Sequence, residues 1–81
     1  MTLTLLKNNH YSVAGEPIYE YVRRMRKLRG WSIAKLAAEA GCDHASIHRF
    51  EAGSNRSLKL AISLLEGLGF TVVIDVTKPG R

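Results

Sequence analysis

Cysteine and long apolar runs are nearly absent from this sequence of 81 residues. Its one thiol, on Cys42, cannot form a disulfide within the chain, which is typical of proteins in a reducing cytosol. No apolar run approaches the roughly 20 residues of a membrane-spanning helix, and the first residues lack the charged and apolar regions of a signal peptide. We therefore expect a cytoplasmic protein that has no membrane partner.

Residue patterns that carry enzyme chemistry are absent as well. The sequence contains no phosphate-binding loop and no pair of nucleophile and general base. His44 and His48 have the i, i+4 spacing that can hold a metal, but Cys42 alone does not supply the further ligands of a zinc site. We expect no enzymatic activity, no cofactor and no bound metal.

Positive charge exceeds negative charge, with 12 Lys and Arg against 7 Asp and Glu and a net charge of +5. This balance favours a polyanionic partner, although many solvated surfaces are basic too. Five cations crowd the second half of the first predicted helix, which are Arg23, Arg24, Arg26, Lys27 and Arg29. Cations there suit the helix dipole, but five exceed what that effect needs. We expect some of them to contact phosphate.

Apolar periodicity and capping residues predict four helices, over residues 16–30, 32–41, 43–53 and 57–69. Pro17 opens the first helix, and Ser32, Asp43 and Ser57 are N-caps of the others. Gly41 can adopt the left-handed conformation that ends a helix. The fourth helix carries more apolar side chains than one face needs, which indicates a second buried face.

Short strands are expected at both ends of the chain. Residues 2–7 alternate weakly, residues 8–15 are turn-rich and irregular, and residues 70–76 form a strand with one apolar face. A lone strand cannot satisfy its backbone hydrogen bonds. The strand at 70–76 therefore pairs either with residues 2–7 or with the same strand of a second subunit.

Residues 32–53 have the layout of a helix-turn-helix, in which a small apolar helix precedes one with a polar free face. The stretch GWSIAKLAAEAGCDHASIHRFEAG resembles the Cro/CI-type (xenobiotic-response-element) repressor family. The features that match are Leu36-Ala37, Gly41, Ser46-Ile47 and Glu51-x-Gly53. The C-terminal LGFTVVIDV resembles the HipB-like branch, in which strands of two subunits pair. Ile33 replaces a phosphate-gripping Gln of the family, and Asp43 replaces a neutral Ser or Thr.

The resemblance implies a fold that is mainly α, a lambda-repressor-like DNA-binding domain of four to five helices with a short C-terminal strand. It would form one domain over residues 1–81, with an arm or strand at 1–15, a helical core at 16–69 and a dimerisation strand at 70–77. An ion pair between Arg26 and Glu51 would join its first and third helices. Trp31 is expected to pack in the core or as a staple rather than stack on a base.

The resemblance also implies a set of DNA contacts and a dimer interface. The expected base contacts are His44, Ala45, His48 and Arg49. The expected phosphate contacts are Ser32, Lys35, Ser46, Ser54 and Arg56. The expected dimer interface comprises Leu65, Phe70, Val72, Ile74 and Val76.

The function that follows is a homodimeric, nucleoid-associated regulator that represses transcription by binding a near-palindromic operator in double-stranded DNA. The alternative is an antitoxin that binds a toxin protein and also represses its own operon. A second polypeptide that copurifies with the chain would distinguish the antitoxin from the simple repressor.

Overall fold

The computed structural model describes residues 2–5, 11–13 and 15–75. Within them lie four helices, which are α1 (Ile18–Leu28), α2 (Ile33–Ala40), α3 (His44–Glu51) and α4 (Leu58–Gly67). Four short strands are β1 (Thr2–Leu5), β2 (Tyr11–Val13), β3 (Glu16–Pro17) and β4 (Val73–Asp75). The mainly helical fold class is confirmed. None of the described helices is long and apolar enough to cross a membrane.

The helix ends follow from local hydrogen bonds of the capping residues. The Ser32 hydroxyl accepts the amide N–H of Lys35, and Asp43 and Ser57 cap α3 and α4 in the same way. Gly41 ends α2 with φ of 69°, a left-handed conformation that costs glycine little. The predicted caps of α2, α3 and α4 are therefore confirmed.

The N-terminal region differs from the sequence prediction. Residues 8–15 were expected to be irregular, but Ser12 and Val13 of β2 pair with Pro17 and Glu16 of β3. Helix α1 consequently begins at Ile18, and Pro17 is its extended N-cap, with ψ of 142°. Strands of two or three residues are too short to leave an alternating pattern, so only their pairing defines them.

The strands form one sheet in the order β3-β2-β1-β4. Strand β4 runs parallel to β1, with Thr2 opposite Val73 and Leu3 opposite Ile74, while the β1–β2 and β2–β3 pairs are antiparallel. Of the two partners left open by the sequence, the N-terminal strand is thus the one observed within the chain. Strand β4 begins three residues later than expected and lies at an edge of this sheet.

The core lies between the helices, and α4 contributes heavily to it. The buried apolar side chains are Val13, Ile18, Val22, Leu36, Ala37, Ile47, Phe50, Ala61, Leu64, Leu65 and Leu68. Leu65, which was expected at a dimer interface, has no exposed surface within the chain. Three further apolar side chains of α4, on Leu58, Leu60 and Ile62, are half-buried against this core. Helix α2 approaches α4 so closely that Gly67 lies against Ala40.

Candidate nucleic-acid interface

Helix α3 divides cleanly into a buried face and an exposed face. Ile47 and Phe50 are buried in the core, and Glu51 is buried beside α1. The four residues expected to contact bases, His44, Ala45, His48 and Arg49, are all exposed. The burial of Ile47 and Phe50 fixes this orientation, because residues three apart lie on the same side of a helix.

The polar side chains on the exposed face of α3 have almost no partners. Among the described residues, no hydrogen bond or ion pair engages the side chains of His44, His48 or Arg49. Their one electrostatic effect is that the charges of Arg49 and His44 help to lower the pKa of Asp43. Exposed donors without internal partners can hydrogen-bond to a ligand without first breaking an internal bond.

Asp43 caps the same helix at the end where these residues begin. Its Oδ1 accepts the Ser46 amide N–H at 2.8 Å. Hydrogen bonding from Ser46 holds the pKa of the exposed Asp43 carboxyl below its ordinary value, and the charges of Arg49 and His44 lower it further. A negative charge therefore stays at the start of α3 at neutral pH.

Of the five expected phosphate contacts, four take part in bonds within the chain. The Ser32 hydroxyl accepts from Lys35, and the Ser54 hydroxyl donates to the carbonyl of Arg49 at 3.0 Å. Ser46 is half-buried, and its amide donates to the Asp43 cap. Arg56 is exposed, with no hydrogen bond or ion pair of its side chain among the described residues.

Lys35 is held between an acid and an aromatic ring. Its Nζ lies 3.0 Å from Glu39 Oε2, one turn along α2, and 5.3 Å from the centroid of the Trp31 ring. Both side chains of the ion pair are about half exposed, so water weakens their attraction. The Lys35 charge is thus partly neutralised inside the chain before any ligand is bound.

The Arg26–Glu51 pair joins α1 to α3 as the family resemblance implied. Arg26 Nε donates to Glu51 Oε2 at 2.7 Å, and Arg26 Nη2 donates to Glu51 Oε1 at 2.9 Å. A third bond runs from Arg26 Nη1 to the carbonyl of Trp31 at 2.9 Å. The hydrogen bonds with Glu51 raise the pKa of Arg26 above its ordinary value. This buried network connects α3 to α1 and to the turn between α1 and α2.

Two features near the interface were missed by sequence reasoning. Arg24 of α1 forms an ion pair with Glu16 of β3, so Arg24 and Arg26 are both paired within the chain. Arg29 lies over two rings, those of Trp31 and Phe70. No sequence signal identifies the second contact, because Arg29 and Phe70 are 41 positions apart.

Thiol chemistry and metal binding carry less weight for the site. Cys42 is half-buried, and burial, with a smaller contribution from the Asp43 charge, raises the pKa of its thiol. Its thiolate form is therefore disfavoured. The His44–His48 pair lacks further ligands, since no group of three or more metal-ligating side chains occurs in the described part of the chain.

The residues expected at a dimer interface are divided between the core and the sheet. Phe70 and Val72 are half-buried against the core of their own chain, and the Phe70 ring lies 6.0 Å from that of Tyr21. Ile74 pairs through its backbone with Leu3, and residue 76 lies outside the described residues. Val73, which was not singled out from the sequence, is 56% exposed on the edge strand β4.

Comparison with known proteins places this geometry in context. Residues 20–73 match the model of a family described as a helix-turn-helix domain. A protein of Picrophilus torridus, named as an HTH-type transcriptional regulatory protein, is 33% identical over 55 residues, which are 68% of this chain and 18% of that protein. One of Haloquadratum walsbyi with the same kind of name is 42% identical over 41 residues, or 51% of this chain and 13% of that protein. The chain spans less than a fifth of the length of either relative. No solved structure is significantly similar to it.

Proposed function

The chain belongs to the helix-turn-helix domain family, and from this premise we propose that it is a sequence-specific DNA-binding regulator of transcription, acting in the cytoplasm on the chromosome. The observation that carries the proposal is the exposed face of α3. Three polar side chains there, His44, His48 and Arg49, have no hydrogen bond or ion pair within the described residues. A helix with a buried apolar face and such a polar face suits the major groove of DNA.

In this proposal α3 reads bases through its exposed side chains. Arg49 has the chemistry to donate two hydrogen bonds to O6 and N7 of guanine, the commonest specific contact in the major groove. Ala45 can contact the methyl group of thymine, and His44 and His48 supply further polar contacts. The Arg26–Glu51 network supports this role, since it holds α3 at one angle to the rest of the domain.

Phosphate contacts would position α3 on the DNA. We assign them to Ser32, Lys35, Ser46, Ser54 and Arg56, of which Arg56 is the most available because its side chain is exposed and unengaged. Lys35 would have to leave Glu39 or share its charge with a phosphate. Contacts of this kind are independent of base sequence and make binding salt-dependent.

We also propose that the regulator is a homodimeric repressor of the Cro/CI type, related to the HipB-like branch. The edge position of β4 and the exposure of Val73 support pairing of β4 with its counterpart in a second subunit. Such a dimer would present two α3 helices to successive major grooves roughly 34 Å apart, on a near-palindromic operator. A repressor bound there would block access of RNA polymerase to the promoter.

The experiment is a selection of bound duplexes from a randomised DNA library, followed by titration of the selected site and of a scrambled duplex. We expect a near-palindromic site that binds at least a hundredfold more tightly than the scrambled duplex. Equal affinity for the two duplexes would refute sequence-specific recognition. A second polypeptide that copurifies with the chain would favour the antitoxin alternative.

A further inference from the structure

The indole of Trp31 holds two cations at the junction of α1 and α2. The Arg29 guanidinium carbon lies 5.6 Å from the ring centroid, and Lys35 Nζ lies 5.3 Å from it. Both distances fall within the range in which a cation is attracted by the face of an aromatic ring. The backbone of Trp31 is itself anchored, because its carbonyl accepts a hydrogen bond from Arg26. The Trp31 side chain is itself half-buried against the core, so backbone and ring are both held in place beside the two cations.

Arg29 is ordered by aromatic rings, and no acidic partner of its side chain occurs in the part of the chain that the structure describes. Its guanidinium carbon also lies 5.7 Å from the centroid of the Phe70 ring, so two aromatic residues restrict one exposed side chain. No hydrogen bond or ion pair of the Arg29 side chain occurs among the described residues. A guanidinium stacked on a ring keeps its N–H groups available at its edge, where they can donate to phosphate or carboxylate.

The charges around Trp31 are unbalanced. Of the two cations over its ring, Lys35 has a counter-ion in Glu39, at 3.0 Å, while Arg29 has none among the described residues. This net positive charge lies beside Ser32 and Lys35, two of the phosphate contacts proposed above. A phosphate oxygen at this position would complete the charge balance.

We propose that Trp31 is a positioning residue that holds Arg29 and Lys35 as a pair of phosphate-contacting cations, with Arg29 a DNA contact in addition to those already assigned. This inference rests on the proposed DNA-binding function and specifies part of its phosphate-contacting surface. It gives Trp31 a role beyond filling space next to the core. The phosphates concerned belong to the DNA backbone, so the contacts are independent of base sequence.

The first test compares Arg29→Met with Arg24→Met, using a random-sequence 20-base-pair duplex between 50 and 200 mM KCl. Arg24 is a matched control because it lies in α1, the helix that Arg29 caps at its C-terminal end. It also stacks on Tyr21 at 5.3 Å and is already paired with Glu16. Both variants lower the net charge by one. For Arg29→Met we expect weaker binding and a slope of log K against log [salt] that is shallower by about 0.9. For Arg24→Met we expect the wild-type slope.

The second test compares Trp31→Leu with Trp31→Phe on the same duplex. Phenylalanine keeps an aromatic face for the cations, whereas leucine keeps only apolar bulk. We expect Trp31→Phe to retain the wild-type slope of log K against log [salt]. For Trp31→Leu we expect that slope to be shallower by about as much as for Arg29→Met. Thermal unfolding of each variant shows whether the loss follows from the missing ring or from a weakened fold.

Three outcomes would overturn the inference. Equal slopes for Arg29→Met and Arg24→Met would show that Arg29 contributes no more to phosphate binding than the net charge that either variant removes. Equal binding by Trp31→Leu and Trp31→Phe, with both folded, would show that the ring does not position the cations. If the wild-type chain bound no duplex at all, the proposed function would fail with the inference, whereas the first two results leave DNA binding intact.

Discussion

Arg26 and Glu51 form a buried, bidentate ion pair that fixes the end of α3 against α1. The two N–H to oxygen distances are 2.7 and 2.9 Å, and the residues are only 9% and 7% exposed. Burial makes each charge dependent on the other, because neither can be solvated by water instead. The angle at which α3 leaves the domain therefore depends on this pair.

Removal of one partner should destabilise the fold strongly. We expect Arg26→Met or Glu51→Gln to lower the free energy of unfolding by about 3–5 kcal/mol, because the remaining charge is left buried without its charged partner. The double variant Arg26→Met/Glu51→Leu should recover part of that loss. Urea denaturation measures all three. As a control, Glu39→Gln, which breaks the exposed pair with Lys35, should cost about 1 kcal/mol or less. A similar cost at both pairs would contradict the argument from burial.

Arg49→Ala should separate base recognition from general DNA affinity. The Arg49 side chain is exposed and has no hydrogen bond or ion pair within the described residues, so its removal should leave thermal stability unchanged. We expect the free energy of binding to a selected operator to become less favourable by about 1–3 kcal/mol. Binding to a scrambled duplex should change little. Anisotropy titrations on both duplexes provide the measurement. An equal loss of affinity for both duplexes would mean that Arg49 contacts phosphate instead.

Asp43→Asn should change the acid sensitivity of the fold. The pKa of Asp43 is lowered in the folded chain from an ordinary value near 3.8, so the folded state binds fewer protons than the unfolded state. Its stabilising effect is present above the unfolded pKa and is lost as the pH falls through the folded pKa. Asparagine also caps helices well and does not titrate there. Urea midpoints from pH 6 to pH 2 should fall more steeply for the wild type than for the variant.

The same Asp43→Asn variant should bind DNA more tightly. The carboxylate stands at the start of α3, next to His44, and would repel a nearby phosphate in the proposed complex. We expect tighter binding to both a selected operator and a scrambled duplex, measured by anisotropy titration. Weaker binding by the variant would show that the carboxylate accepts a hydrogen bond from a base such as cytosine.

Gly67→Ala should destabilise the domain, although alanine is the better residue in a helix. A Cβ at position 67 would lie 3.0 Å from the backbone N and Cα of Ala40. Because a backbone atom cannot rotate away, α2 and α4 would have to separate, at a cost of about 1–3 kcal/mol. Lys59→Ala, at an exposed position of α4, is the control and should stay within about 0.5 kcal/mol of the wild type. Thermal unfolding that shows Gly67→Ala to be as stable as the wild type would contradict this close packing.

Val73→Lys should disrupt the proposed dimer. Val73 is 56% exposed on the edge strand β4, and a lysine on an edge strand opposes pairing with another chain. We expect a dimer for the wild type and a monomer for the variant in sedimentation at micromolar concentration. Val73→Thr, which keeps a β-branched side chain without adding charge, should remain a dimer. A dimer for Val73→Lys would place the interface away from β4, and a monomeric wild type would end the dimer proposal.

Much of the helical part of this protein was predictable from the sequence because helix ends are local events. Ser32, Asp43 and Ser57 each cap a helix through an amide three residues further on, and Gly41 stops α2 with its own backbone. The exposed face of α3 was predictable for the same reason, since the spacing of Ile47 and Phe50 defines the buried side.

Only the tertiary structure decided which distant parts of the chain meet. Strand β4 pairs with β1, about seventy residues away in the chain. Leu65 of α4 is buried in the core of its own chain. The sequence left the strand pairing open and placed Leu65 at a dimer interface, because strand pairing and helix packing depend on distant partners that a local pattern does not identify. The same holds for Arg29, whose position between Trp31 and Phe70 exists only once α4 has brought the C-terminal segment back to α1.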